Sequence, residues 1–203
     1  MGARLVALAA LLLGNPAVAA QPTLGARASV LSTWVTVESR RLGIVDFDAL
    51  LGGGVSVFAE TGLAPGVAAG LEFGLTQAGF ASNGADATEP NPDPSALTYD
   101  TSTRATYLSL APTVTGRLPG VGVRLYVAVG PRLDLLVVER SRIDALNVST
   151  DDYDRVAVGV GGALGVAVPV GRREVRADVR ASTTQPLGDS RQATVELRVG
   201  ATL

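Results

Sequence analysis

The stretch VAVGVGGALGVAVPV, residues 156–170, decides how the rest of the chain is read. Its even positions carry Val156, Val158, Val160, Leu164, Val166, Val168 and Val170, with Gly162 the one exception. Its odd positions are Ala157, Gly159, Gly161, Ala163, Gly165, Ala167 and Pro169. A period of two belongs to a β-strand, because successive side chains of an extended chain leave on opposite faces. One face is greasy and the other almost bare. Segment 174–184 keeps the alternation but fills the second face: Val175, Ala177, Val179 and Ala181 oppose Glu174, Arg176, Asp178 and Arg180. Near the end, Val195, Leu197, Val199 and Ala201 oppose Glu196, Arg198 and Gly200. Upstream, Val121 to Val137 places valines and leucines at odd positions and Arg124, Tyr126, Arg132 and Asp134 at even ones.

Weaker alternation marks further strands near 25–37, 50–61, 67–79 and 104–118, which makes eight. The connections fall into two classes. Those at 38–49, 80–103, 141–154 and 185–190 are long or polar, whereas those at 62–66, 119–120 and 171–172 are tight turns built on Gly or Pro. All long connections therefore share one end. An even number of antiparallel strands with this asymmetry describes an eight-stranded, up-and-down transmembrane β-barrel.

The turns also set register. A Gly-first turn at 171–172 pairs Val168 with Val175 and Val166 with Ala177. For the last two strands, opposing charges select the register that sets Arg180 against Glu196 and Asp178 against Arg198. A two-residue turn at Pro119-Gly120 would pair Val114 with Leu125 and Tyr107 with Arg132. Pro-Gly has the wrong twist for that turn, and any even change of width keeps the same facing.

A soluble lipocalin-like binding barrel would keep its aliphatics inside and its charges in water. Here the charges share a face with glycine and alanine, as fits an eight-strand interior just wide enough for side chains. Val and Leu then face hydrocarbon. The lumen is expected to hold Glu60, Glu72, Asp134, Asp178 and Glu196 with Arg117, Arg124, Arg132, Arg176, Arg180 and Arg198. Five acids and six bases nearly cancel, so interlocked ion pairs are expected. The bland reading is a plug that closes the pore; the sharper one is a narrow small-solute channel.

Residues 1–20 carry Arg4, the apolar run Leu5 to Leu13 and the small residues Ala17 to Ala20, the layout of a secretory signal peptide, leaving 21–203 as the barrel domain. The chain of 203 residues has no histidine and no cysteine. Zinc sites, Ser-His and Cys-His nucleophiles and disulfides are therefore unavailable. No catalytic, metal or cofactor residue stands out, and the expectation is that the protein is not an enzyme. A net charge of −2 offers no footprint for nucleic acid. The glycines at 52–54 and 159–162 lack the following helix of a phosphate loop, and the acids of 82–100 lack calcium-loop spacing.

Three stretches resemble the small outer-membrane barrel domain family of Bacteroidota and related bacteria, the PorT-like group. Leu71-Glu72-Phe73-Gly74-Leu75 with Gln77-Ala78-Gly79-Phe80 resembles that family's third-strand end. Tyr107-Leu108-Ser109-Leu110-Ala111-Pro112 is similar to its fourth strand, and Gly130-Pro131 to its fifth. The resemblance implies a barrel in the bacterial outer membrane and no particular activity. The loop asymmetry itself leads to the expectation of a monomeric barrel of structural or surface-contact role, with membrane lipid and the barrel-assembly machinery as partners. Such a barrel would expose loops 81–103 and 141–154 to the outside. The family often ends in an aromatic residue recognised during assembly, whereas this chain ends in Leu203. Its nine aromatic residues, Trp34 among them, are a thin supply for the girdles of such a barrel.

Overall fold

The computed structural model describes residues 22–39, 43–85, 98–118, 120, 122–143, 146–148, 156–186 and 190–203; the expected signal segment lies outside them. Eight long strands and one short one appear: β1 (Thr23–Ser39), β2 (Gly43–Ala64), β3 (Val67–Ala85), β4 (Thr98–Arg117), β5 (Arg124–Ile143), the three-residue β6 (Leu146–Val148), β7 (Val156–Val170), β8 (Arg173–Pro186) and β9 (Ser190–Thr202). Every pairing is antiparallel, and each long strand is bonded to a long neighbour on both sides. The circle closes where β1 meets β9, from Gly25 opposite Thr202 to Val37 opposite Ser190. The result is a closed eight-stranded antiparallel barrel, with β6 folded against the end of β5.

The side chains sort as the period of two requires. Val158, Leu164 and Leu197 are 51%, 63% and 59% exposed on the outer wall, whereas Arg180 and Glu196 are 6% and 4% exposed within. A wall so apolar would drive aggregation in water, which sets aside the soluble lipocalin-like alternative. Between β7 and β8, Val168 faces Val175 and Val166 faces Ala177, around a turn whose Gly171 has φ +63°. Between β8 and β9, Arg180 faces Glu196 and Asp178 faces Arg198.

Two expectations are corrected. Between β4 and β5, Val114 faces Val129, Tyr107 faces Leu136 and Arg117 faces Tyr126, so the pairing lies four residues from that of a two-residue turn. β4 ends at Arg117 and β5 begins at Arg124, and the Leu118 N–H donates to the Leu125 carbonyl at 2.9 Å. The turn is wider, but the change is even, so the facing stands. Second, much of what reads as long connection is strand: β1 and β2 run to Ser39 and from Gly43, β3 reaches Ala85, β4 starts at Thr98, and β5 and β6 occupy part of 141–154. The thin aromatic supply is divided between the two faces of the wall. Among the described side chains Trp34 and Phe73 face outward, while Phe58, Phe80 and Tyr126 are buried.

The glycines of 52–54 sit at a bulge. From Ser32 to Val35, β1 advances three residues while β2 uses four, Leu51 to Phe47, and a matching extra residue falls between Leu50 and Gly53 against β3. A side chain at Gly52 would meet the Gln77 carbonyl oxygen at 1.9 Å, so only glycine lets β3 pass here.

Leu164→Arg should lower the stability of the barrel in phospholipid vesicles by about 2–4 kcal/mol, the depth-dependent cost of a charge on the lipid face near the midplane. Leu118→Arg, beyond the end of β4, should cost less than about 1 kcal/mol. Urea titrations of both variants measure the difference.

Candidate functional site: the charged lumen

The inward face of each strand delivers its charges at a height set by register, and small residues opposite leave room for them. A Cβ at Gly165 would come within 2.5 Å of the Asp178 Cβ and 2.8 Å of the Tyr126 ring. One at Gly161 would lie 3.0 Å from the Arg180 Nε. The bare face of β7 is thus the space into which the charged faces of β5 and β8 project.

Glu72 of β3 is the hub. Its carboxylate accepts from the Arg27 guanidinium at 2.7 Å, from Arg198 Nη1 at 3.0 Å and from the Ser56 hydroxyl at 2.8 Å, with Arg180 Nη1 at 3.8 Å. Arg198 reaches further, donating through Nε to Asp178 at 2.6 Å, and Asp178 also accepts from the Tyr126 hydroxyl. A second group centres on Arg132: Nε donates to Asp134 at 2.8 Å and Nη1 to Glu196 at 2.6 Å, while the Ser109 hydroxyl donates to Asp134. A third lies toward the tight turns. Glu60 is held by Arg117 at 2.6 Å and Arg176 at 2.8 Å, and Arg176 donates through Nε to Glu174 at 2.6 Å.

All eleven residues expected in the lumen lie on the inward face. Glu60, Glu72, Asp134, Asp178, Glu196, Arg132, Arg176, Arg180 and Arg198 are buried there. Arg117 is partly exposed, and Arg124 sits at the rim, 47% exposed and 3.7 Å from Glu174. Tyr107 stands opposite Leu136 and not Arg132, and its hydroxyl accepts from the Gln192 side-chain amide at 3.1 Å. Sequence reasoning missed Arg27 and Glu174. Arg27 stacks 4.2 Å from the Phe58 ring centroid, with Arg176 5.0 Å away from the same ring. The signal was available: Arg27 and Ser29 share parity in β1, as do Glu174 and Arg176 in β8.

Burying a lone ion costs several kcal/mol, which a lumen this narrow avoids by giving every buried carboxylate at least one arginine. Arginine suits the task because its planar fork donates in two directions at once, as Arg132, Arg176 and Arg198 do here. Two voids among these groups have volumes of about 20 and 10 Å³, room for little more than a water each. At the turn end the lumen opens into a mouth of about 440 Å³ lined by Thr23, Glu60, Pro65, Arg117 and Arg124 among others. No group of three or more histidine, cysteine or acidic side chains among the described residues is arranged to hold a metal ion.

An aliphatic outer wall, a closed hydrogen-bonded ring and a charge-filled interior define a small β-barrel protein of the outer membrane. The chain belongs to the outer membrane protein beta-barrel domain family, whose model matches residues 5–201, and it resides in the bacterial outer membrane. Among solved structures it is similar to Neisserial surface protein A, at 17% identity and TM-score 0.43 over 89% of this chain and 96% of that one. It is similar to the attachment invasion locus protein Ail of Yersinia pestis in complex with sucrose octasulfate, a heparin analogue, at 12% identity and TM-score 0.44 over 90% and 99%. It is also similar to the outer membrane protease OmpT of Escherichia coli, at 8% identity and TM-score 0.48 over 94% and 99%. A search of curated proteins finds no match.

Glu72→Gln should destabilise the barrel by about 3–5 kcal/mol, because it leaves Arg27 and Arg198 facing a neutral amide inside. Ser56→Ala, which removes one donor from the same carboxylate, should cost about 1 kcal/mol. Unfolding midpoints in urea, with boiling-dependent gel mobility as a check that each variant folds, report the contrast.

Proposed function

We propose that this protein is a closed, non-conducting and non-enzymatic barrel, acting as a monomer, whose task is to hold an extended β-surface at one face of the outer membrane for contact outside the cell. The observation that carries this reading is the plug. Three arginine-carboxylate groups occupy the lumen, and the two voids described among them are too small for a hydrated solute. The contact surface would comprise the outer parts of β2–β5 with the segments 81–103 and 141–154, which we place on the extracellular side because long connections share that end. Insertion by the barrel-assembly machinery and membership of the PorT-like group belong to the same proposal, supported by the three strand stretches that resemble that group.

A narrow small-solute channel is the competing reading, favoured by the mouth of about 440 Å³ at the turn end. Planar-bilayer recordings separate the two: the folded protein should give no discrete conductance steps, and regular steps would establish the channel. Protease added to intact cells should cut within the segment 81–103 and leave the barrel core protected; cleavage only after the outer membrane is opened would reverse the orientation.

A further inference from the structure

Every strongly buried arginine of the lumen has a carboxylate within 4 Å, yet two arginines on the outer wall do not. Arg104 of β4 and Arg140 of β5 stand directly opposite one another in the ladder, and both are exposed. Their outward direction follows from their neighbours: Thr103 and Ala105, on either side of Arg104, are buried, and the Glu139 that precedes Arg140 pairs with Ala105 on the inner face. Val137 is an extra residue in β5 at this point, since Thr106 pairs with Val138 while Tyr107 pairs with Leu136. The bulge is what brings Arg140 to the outside.

Like charges directly opposite in an antiparallel pair repel, with Cβ atoms only about 5 Å apart. Neither arginine has a carboxylate partner among the described residues. The exposed Asp48 lies two strands away, opposite Ala81 of β3. Beside Arg104, β3 offers no polar side chain, because Arg104 pairs with Gly79, and Leu50 takes the place of its missing side chain. Directly along the wall toward the turns come Val138, Leu135, Leu133 and Leu110, all exposed aliphatics. The pair thus stands at the edge of the apolar band, about one pleat beyond its last valine.

We propose that Arg104 and Arg140 form a site for the phosphorylated headgroup of a lipid, whose acyl chains lie along the aliphatic wall below. Two guanidinium forks at this spacing can grip a phosphate from both sides, and the anion turns their mutual repulsion into attraction. A phosphate on a lipid is favoured over a free one because the site is flat and continuous with a surface that hydrocarbon already covers. The assignment needs the barrel to sit in a membrane but does not depend on which end faces outward or on whether the lumen conducts.

The test uses the full barrel in dodecyl maltoside, titrated with bis-phosphorylated lipid A and read by native mass spectrometry. Arg104→Gln/Arg140→Gln should weaken binding roughly tenfold or more, from the loss of two surface cations. Arg104→Lys/Arg140→Lys, which keeps charge but loses the fork, should fall between, and Arg173→Gln, at the turn end, should bind as the parent does. Equal binding by the double glutamine variant, or by lipid A stripped of its phosphates, would overturn the proposal. Inorganic pyrophosphate binding as tightly as the lipid would show a free-anion site instead and would overturn the lipid assignment. Unchanged boiling-dependent gel mobility of the variants establishes that they remain folded.

Discussion

A peptide group that enters hydrocarbon has to find its partner within the chain, and this sheet meets that demand by closing on itself. The decisive contact is β1 with β9, where Gly25 to Val37 pair with Ser190 to Thr202. Without it two edges would face lipid, each carrying a row of unpaired N–H and C=O groups. Closure at eight strands then dictates the interior. So small a circle leaves no water-filled bore, and what points inward must fill the space and satisfy itself.

The inside of the wall answers with an exchange of size for charge. β7 contributes Ala157, Gly159, Gly161, Ala163, Gly165 and Ala167, and its neighbours contribute arginines and acids that occupy the volume it leaves. Neither strand is intelligible alone. A larger residue at Gly165 would strike Asp178 and Tyr126, and Tyr126 is the donor that, with Arg198, completes Asp178. The network also ties distant strands together: Glu72 of β3 is held from β1 and β9, and Arg132 of β5 from its own strand and β9. Removing one member therefore loosens a cross-section of the barrel rather than a single contact, because the remaining charges are still buried.

How much of this was legible in the sequence depended on how strictly each strand alternates. β7, β8 and β9 gave facing, register and five of the eleven lumen charges, since Arg180 against Glu196 and Asp178 against Arg198 are the cross-strand pairs the charges select. The β4–β5 register was lost by four residues because nothing in Leu118 to Val123 specifies turn width, while facing survives any even change. Arg27 was overlooked for a related reason. Its strand alternates between alanine or valine and glycine, serine or threonine, so the contrast that marks a lumen face is faint, and Leu31 and Val35 point inward against the pattern. In β2 the bulge near Gly52 changes parity midway, and no period of two can be followed across it.

The same reasoning explains why the ends of β2–β5 read as loops. A strand above the membrane has water on both faces, so selection for an apolar side lapses and alternation with it. The wall is uneven in consequence: the last β5–β7 pair is Leu135 with Val156, whereas β4 and β5 stay paired to Thr101 and Ile143, and β3 and β4 to Ala85 and Thr98. At about 3.3 Å per residue, the stretch of β5 beyond Leu135, which ends at Ile143, carries the strand some 25 Å further on that side. What holds this extension is backbone pairing rooted in the embedded part of the same strands. Under the proposed function the ion-paired interior serves as the base of this extension, because the network ties β1, β3, β5, β8 and β9 together across the barrel.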